Sequence, residues 1–201
     1  MDIAVVADDF TGANANGALL TAKGFSSATC LGLDHWNPAS FAAYTAVCLN
    51  AESRLLPRDQ AWKVVYNAVS MFCREQPALV SKRVDSTLRG NVGAEMEAAV
   101  TAMDDAYGHQ HSLAVLVASY PSSGRICVGG YQIVHGIPLE RSPIAKDAAT
   151  PVNNTSVLKI VAEQSKIACG FIPLDRVLEG PAAVRQGIED ARARGCRAVV
   201  C

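Results

Sequence analysis

The residues best equipped for chemistry fall in three short polar clusters, each placed directly after an apolar run. The first is Ala7-Asp8-Asp9-Phe10-Thr11-Gly12-Ala13, where two carboxylates close the run Ile3–Ala7 and Thr11-Gly12 lead into a helical segment. Either Asp9 or Thr11 suffices to cap that helix. A second carboxylate beside the first adds repulsion that capping does not require, which points to a functional use. Adjacent residues on an extended strand face opposite ways, so only one of Asp8 and Asp9 meets a given ligand unless the chain has already turned.

The second cluster, Lys82-Arg83-Val84-Asp85-Ser86-Thr87-Leu88-Arg89-Gly90-Asn91, mixes three cations, two hydroxyls and one carboxylate. Lys82 and Arg89 suit a substrate carboxylate or phosphate, Arg as a two-pronged fork and Lys as a compact charge. Asp85 can take a proton from a substrate hydroxyl or hold that hydroxyl in place. Mutual neutralisation of neighbouring charges is the competing reading. The third cluster, Ser119-Tyr120-Pro121-Ser122-Ser123-Gly124-Arg125, offers backbone N–H groups and one guanidinium to an anion, although Pro-Ser-Ser-Gly is also ordinary turn chemistry. A lesser candidate is Asn50-Ala51-Glu52-Ser53-Arg54, where Arg54 serves either a ligand or a surface ion pair with Glu52.

Other chemistries find no support. Gly12 and Gly17 have the spacing of a phosphate loop, but Ala18-Leu19 stand where Lys and Ser or Thr are required. The four histidines (35, 109, 111 and 135) show no metal-ligand spacing beyond His109-x-His111, so no metal is expected, and no Gly-x-Ser-x-Gly elbow is present. A lyase or aldolase working through a Schiff base has Lys82 as its sole candidate.

These clusters need a scaffold that collects strand ends. Apolar runs recur at Ile3–Ala7, Ala28–Leu33, Tyr44–Leu49, Ala78–Val84, Leu113–Ala118, Ile167–Ile172 and Arg197–Cys201, with mostly helical segments between them. The alternation predicts an α/β fold, Rossmann-like, with a mainly parallel sheet covered on both faces. From Pro57 a helix places Ala61, Val64, Val65, Ala68, Val69 and Phe72 on one face, with Arg58, Asp59, Lys63 and Asn67 toward water. Further helices are predicted over Asn91–Met103, Ser156–Ser165 and Pro181–Arg194, the last capped by Gly195. Residues 121–152 break the pattern as a small irregular or antiparallel insertion, with Ile126–Val134 pairing as short strands. Ligand sites in such sheets lie beyond the carboxyl ends of the strands, where all three clusters are predicted to converge.

The chain has 201 residues, half of them hydrophobic, which suits one domain. Its formal net charge of −1 gives no bias toward nucleic acid or an anionic membrane. Without a signal-peptide pattern or an apolar run long enough to span a bilayer, a cytoplasmic location is the expectation. Seven scattered cysteines with no Cys-x-x-Cys pair read as buried, reduced thiols.

Together, the motifs Ala7 to Ala13, Asn50 to Arg54, Lys82 to Glu95 and Pro121 to Arg125 resemble the four-carbon acid sugar kinase family over nearly the whole chain. Asn50-Ala51-Glu52-Ser53-Arg54 and Asp85 to Glu95 look closest to its D-threonate kinase branch, as do Gly136 to Leu139, Ala145-Lys146-Asp147 and Thr150-Pro151-Val152. Two departures are Ala118-Ser119-Tyr120-Pro121, where the family has Pro-Ala-x-Pro, and Ala15, where D-threonate kinases tend to carry Asp. The resemblance implies an N-terminal sugar-acid-binding domain joined to a C-terminal nucleotide-binding domain that holds ATP and Mg2+ and is absent from this chain. It implies an acid such as D-threonate, D-erythronate or a 3-oxo-tetronate as substrate, and it admits a homodimer. Carried onto matching positions, substrate contacts come from Asp8, Asp9, Arg54, Lys82, Arg83, Val84, Asp85, Ser86 and Arg89, with Gly124 and Arg125 nearby. Asp85 and Asp8 are the catalytic candidates, Arg54 and Lys82 the carboxylate anchors. The other reading is a non-catalytic sugar-acid-binding or sensor module.

Overall fold

The computed structural model describes residues 1–109 and 112–201. The chain begins with β1 (Ile3–Ala7), α1 (Phe10–Ala22), β2 (Ser27–Cys30), a short α2 (Pro38–Phe41), β3 (Ala46–Asn50), α3 (Arg58–Cys73), β4 (Leu79–Arg83) and α4 (Val92–Tyr107). It continues through β5 (Ala114–Leu116), the antiparallel strands β6 (Arg125–Val128), β7 (Tyr131–Val134) and β8 (Ile137–Pro138), then α5 (Val157–Gln164), β9 (Cys169–Phe171), α6 (Leu174–Leu178), α7 (Pro181–Ala193) and β10 (Ala198–Val200).

The mainly parallel architecture expected from the sequence is present, divided over two sheets. One has the order β2-β3-β1-β4 and the other β5-β10-β9, with every pairing parallel. The period of two along a strand sends alternate side chains to opposite layers. In β1, Ala4 and Val6 pack toward α3 and α4 with Val65, Val69, Phe72 and Ala98, while Val5 and Ala7 meet Ala13 of α1. In β10, Ala198 and Val200 join a core with Val92, Met96, Val157 and Val161, while Val199 packs with Ala191 of α7. Helix α4 therefore contributes to the cores of both sheets.

The predicted α3 stripe is buried at Ala61, Val65, Ala68, Val69 and Phe72, with Val64 at its margin. Helix α4 runs past its predicted end at Met103, because Asp104 to Tyr107 stay helical until Gly108 adopts the left-handed conformation (φ 67°) that closes the helix. The insertion contains the expected hairpin and a third strand, β8. The cysteines are all free, but only Cys30, Cys48 and Cys73 are buried, which corrects the expectation for the other four. Burial pushes the thiols of Cys48 and Cys169 up to about 11. Among the described residues no helix is long and apolar enough to cross a membrane. His111 lies outside the described residues; His109 Nδ1 stands 3.2 Å from Asp104.

Candidate active site

In the first sheet β1 lies between β3 and β4, and the connections leaving β1 and β4 diverge to opposite sides, β1 toward β2 and β4 toward the second sheet. The crevice beyond the carboxyl ends of β1 and β4 is thus the topological switch point, where open α/β sheets bind ligands. Asp8 and Asp9 follow β1, Asp85 follows β4, and Arg54 follows β3.

Asp8 is almost fully buried, and Asp9 has left the strand: its backbone takes the extended N-cap conformation and its Oδ1 accepts the Gly12 N–H at 2.7 Å. The chain has therefore already turned, and both carboxylates meet one guanidinium. Arg54 donates from Nε to Asp8 Oδ2 at 2.7 Å and from one terminal nitrogen to Asp9 Oδ2 at 2.6 Å. This replaces the surface pairing of Arg54 with Glu52, whose carboxylate instead accepts from Asn50. Burial works against the charged form of Arg54, but the Asp8 hydrogen bond and the charges of Asp8, Asp9 and Asp85 outweigh it and raise its pKa. Arg83 stands behind at 3.6 Å from Asp8 and 3.8 Å from Asp9. Its approach depends on Gly12, where a Cβ would lie 2.8 Å from the Arg83 guanidinium and 2.6 Å from Asp9 Oδ1. Two polar atoms in this knot have no hydrogen-bond partner, Asp8 Oδ1 and the second terminal nitrogen of Arg54.

The Asp85 turn is tight. Leu88 N–H returns to Asp85 O at 2.8 Å with Leu88 at φ 57°, and the buried Leu88 side chain anchors the strained residue in the second core. Asp85 accepts from Thr87 and, at 2.6 Å, from Arg89 Nε. Burial alone would raise its pKa; the Arg89 and Thr87 hydrogen bonds, with the charges of Arg89 and Arg54, hold it below the usual carboxylate range. Arg89 continues to Asp147 Oδ2 at 3.3 Å. Asp147 Oδ1 accepts the N–H groups of Thr150 (2.8 Å) and Ala149 (3.1 Å), and these two bonds, followed by Arg89, lower its pKa.

Of these groups Asp8, Asp9, Arg54, Arg89, Asp147 and Thr150 line a cavity of about 560 Å³, while Asp85 and Arg83 stand behind its wall. A second cavity of about 530 Å³ shares Arg54, Leu55, Ala149 and Thr150 with it. The structure thus brings Asp8, Asp9, Arg54, Asp85 and Arg89 into one charge-linked cluster. Lys82 is elsewhere: its ammonium pairs with Glu95 at 2.8 Å in a buried setting and also donates to Arg83 O. Val84 packs into the second core, and Ser86 is tied through its carbonyl to Gln132. Gly124 and Arg125 do not line the 560 Å³ cavity. Gly124 is in the left-handed region (φ 66°) against the His135 ring, and Arg125 donates to Ser123 while its Nε has no partner. Their loop joins the Asp85 turn indirectly, through the buried Gln132 amide that donates to Ser86 O (2.7 Å) and Ala118 O (3.1 Å).

Sequence reasoning assigned none of Asp147, Thr150, Glu95 and Gln132 to the site, although the first three lie in stretches that carry the family resemblance. For Asp147 the usable signal was an Asp followed by small residues and Thr-Pro, which favours a turn closed by its own carboxylate; nothing local points to Arg89. Among the described residues no group of three or more His, Cys, Asp or Glu is arranged to hold a metal ion.

The family model of the sugar-binding N-terminal domain matches residues 3–201. The chain is 44% identical to a D-erythronate kinase of Heliobacterium modesticaldum, over 99% of this chain and 44% of that protein. It is 40% identical to a D-threonate kinase of Salmonella typhimurium over 90% of this chain and 41% of that protein. A 3-oxo-tetronate kinase of Actinobacillus succinogenes is 26% identical, over 100% and 47%. The chain thus spans less than half the length of these relatives. In structure it is similar to a domain of unknown function from Bordetella bronchiseptica, solved with bound citrate as a domain-swapped dimer (TM-score 0.83, 26% identity, 100% of this chain and 46% of that one). A Haemophilus influenzae protein shares the fold at TM-score 0.86 and 22% identity, over 98% of this chain and 47% of that one.

Proposed function

The chain belongs to the four-carbon acid sugar kinase family, and from that premise we propose that its switch-point cavity is the sugar-acid site of an ATP-dependent kinase. The observation that carries this reading is the single cluster formed by Asp8, Asp9, Arg54, Asp85 and Arg89 along an open cavity. A small hydroxy acid requires donors for its carboxylate and an acceptor for each hydroxyl, fixed in place before the substrate arrives. Asp8 Oδ1, which accepts no hydrogen bond within the protein and has Arg83 as an ion-pair neighbour at 3.6 Å, is the acceptor we assign to the reacting hydroxyl. Asp85 is the weaker candidate for that role, since its lone pairs are engaged by Thr87 and Arg89 and its proton affinity is lowered. The unpartnered terminal nitrogen of Arg54 serves the acid. Lys82, held by Glu95, is removed from the set of carboxylate anchors in this reading.

ATP and Mg2+ belong, in this proposal, to a C-terminal nucleotide-binding domain of the same polypeptide, and supply the phosphoryl group and its charge neutralisation. The residues of this chain bind the acid, orient one hydroxyl and exclude water when the second domain closes. D-erythronate and D-threonate are the first substrates to test, since the relatives with those names are 44% and 40% identical. The citrate bound by the Bordetella domain accords with a site for small carboxylic acids.

Calorimetric titration of the chain with D-erythronate and D-threonate tests the site, and ADP release by the full-length polypeptide tests the reaction. We expect weak acid binding and no ATP turnover by the chain alone, and acid-dependent ADP release by the longer protein. Acid binding without any phosphorylation by the longer protein would favour a sugar-acid sensor. Absence of acid binding in both would remove the sugar-acid reading.

A further inference from the structure

Every arginine that lines the 560 Å³ cavity is already paired with carboxylates of the protein, Arg54 with Asp8 and Asp9, Arg89 with Asp85 and Asp147. Apart from one buried terminal nitrogen of Arg54 that has no hydrogen-bond partner, an anion entering this cavity competes for a guanidinium with a carboxylate that is already there. The four pairs are unequal. Those of Arg54 with Asp8 and Asp9 and of Arg89 with Asp85 span 2.6–2.7 Å, whereas Arg89 and Asp147 stand 3.3 Å apart. Asp8 and Asp85 are also deeply buried, and displacing either would strand a charge in a poorly solvated place. Asp147 retains about a quarter of its side-chain exposure, so water can receive its carboxylate when the contact opens.

The two oxygens of Asp147 have separate duties. Oδ1 holds the turn through the N–H groups of Ala149 and Thr150, and Oδ2 alone reaches Arg89. Release of Oδ2 therefore leaves the turn intact. That turn also borders both cavities, since Ala149 and Thr150 line each of them together with Arg54 and Leu55.

We propose that Arg89 is the anchor for the substrate carboxylate, and that Asp147 is the resident carboxylate which the substrate displaces from it. This rests on the sugar-acid reading of the cavity and adds the residue that receives the acid's charge. The exchange gives Arg89 one carboxylate in place of another, and an uncharged sugar has no means of making it. Asp147 thus sets a threshold that selects for acids over neutral polyols of the same size.

The test is Asp147→Asn, in which the amide oxygen can still accept from Ala149 and Thr150 while the competing negative charge is gone. Calorimetric titration of wild type and variant with D-erythronate and D-threonate should show acid binding tightened about two- to tenfold in the variant, as for removal of a partly exposed ionic competitor. Unchanged or weakened binding in the variant overturns the exchange, weakened binding because Asp147 would then contact the substrate itself. If neither protein binds either acid, the sugar-acid reading falls and this inference falls with it.

Discussion

Lys82 and Glu95 form a buried ion pair, with 2.8 Å between Nζ and Oε2 and side-chain exposures of only 7% and 2%. Lys82 is the penultimate residue of β4 and Glu95 lies in the first turn of α4, and Glu95 also accepts a short hydrogen bond from the buried Ser53 hydroxyl. The pair therefore joins strand, helix and the segment carrying Arg54 beneath the cavity. Glu95→Ala leaves an uncompensated ammonium and should cost about 3–5 kcal/mol. Thermal unfolding checks this, and a variant melting within a degree of wild type would show that Lys82 finds another partner or water.

Arg54→Ala removes the guanidinium that donates hydrogen bonds to both Asp8 and Asp9 and should weaken acid binding more than tenfold. Arg54→Lys should recover little of the loss, because one ammonium cannot span two carboxylates as Nε and a terminal nitrogen do. Affinities from titration decide the matter; a fully active Lys variant would show that charge alone suffices.

Asp85 gives the pH dependence. Its folded pKa lies below the ordinary carboxylate value of 3.8, so its contribution to stability is complete above that unfolded value and is lost as pH falls through the folded one. Wild type should lose stability below about pH 4 more steeply than Asp85→Asn. At neutral pH the Asn variant should be less stable by about 1–3 kcal/mol, since Arg89 and Thr87 lose a charged acceptor. Denaturant melts from pH 3 to pH 7 measure both, and parallel acid limbs would remove Asp85 as their source.

Gly93 sits where α4 crosses α5. A Cβ there would stand 2.7 Å from the carbonyl oxygen of Val161 and 3.1 Å from its Cα, both backbone atoms with little room to retreat. Gly93→Ala gains helix propensity, yet overpacking of this kind costs about 1–3 kcal/mol, and the melting temperature should fall. An unchanged or raised melting temperature would mean that α5 can slide away at no cost.

Much of the scaffold was legible because its strands are β-branched apolar runs bounded by polar turns, and Asp8, Arg54 and Asp85 were legible because each follows such a run. Pairing was not. Local sequence cannot tell that Leu113–Ala118 pairs with β10 rather than β4, so the division into two sheets was hidden. Nor can it tell that Lys82 meets a carboxylate on the next helix, while Arg89 meets one 58 residues away. Three cations in ten residues suggested anchors for a substrate carboxylate or phosphate. The fold instead supplies each with an acid, and only tertiary structure shows which of those acids is loosely held.

Helix α4 lends Ala98, Ala99 and Ala102 to one core and Val92 and Met96 to the other. Among the described residues the two parallel sheets share no strand pairing, and this helix is a continuous element common to both hydrophobic cores. All-or-none unfolding of the chain then depends on coupling passed through α4: lesions confined to β1 or to β10 weaken one core directly, while lesions in α4 weaken both and take away the cooperativity itself. The Arg89–Asp147 contact gains a second meaning in those terms. It links the loop that enters α4 to the Asp147 turn, both resting on the second core, and its opening loosens the entrance to the helix that the two cores share.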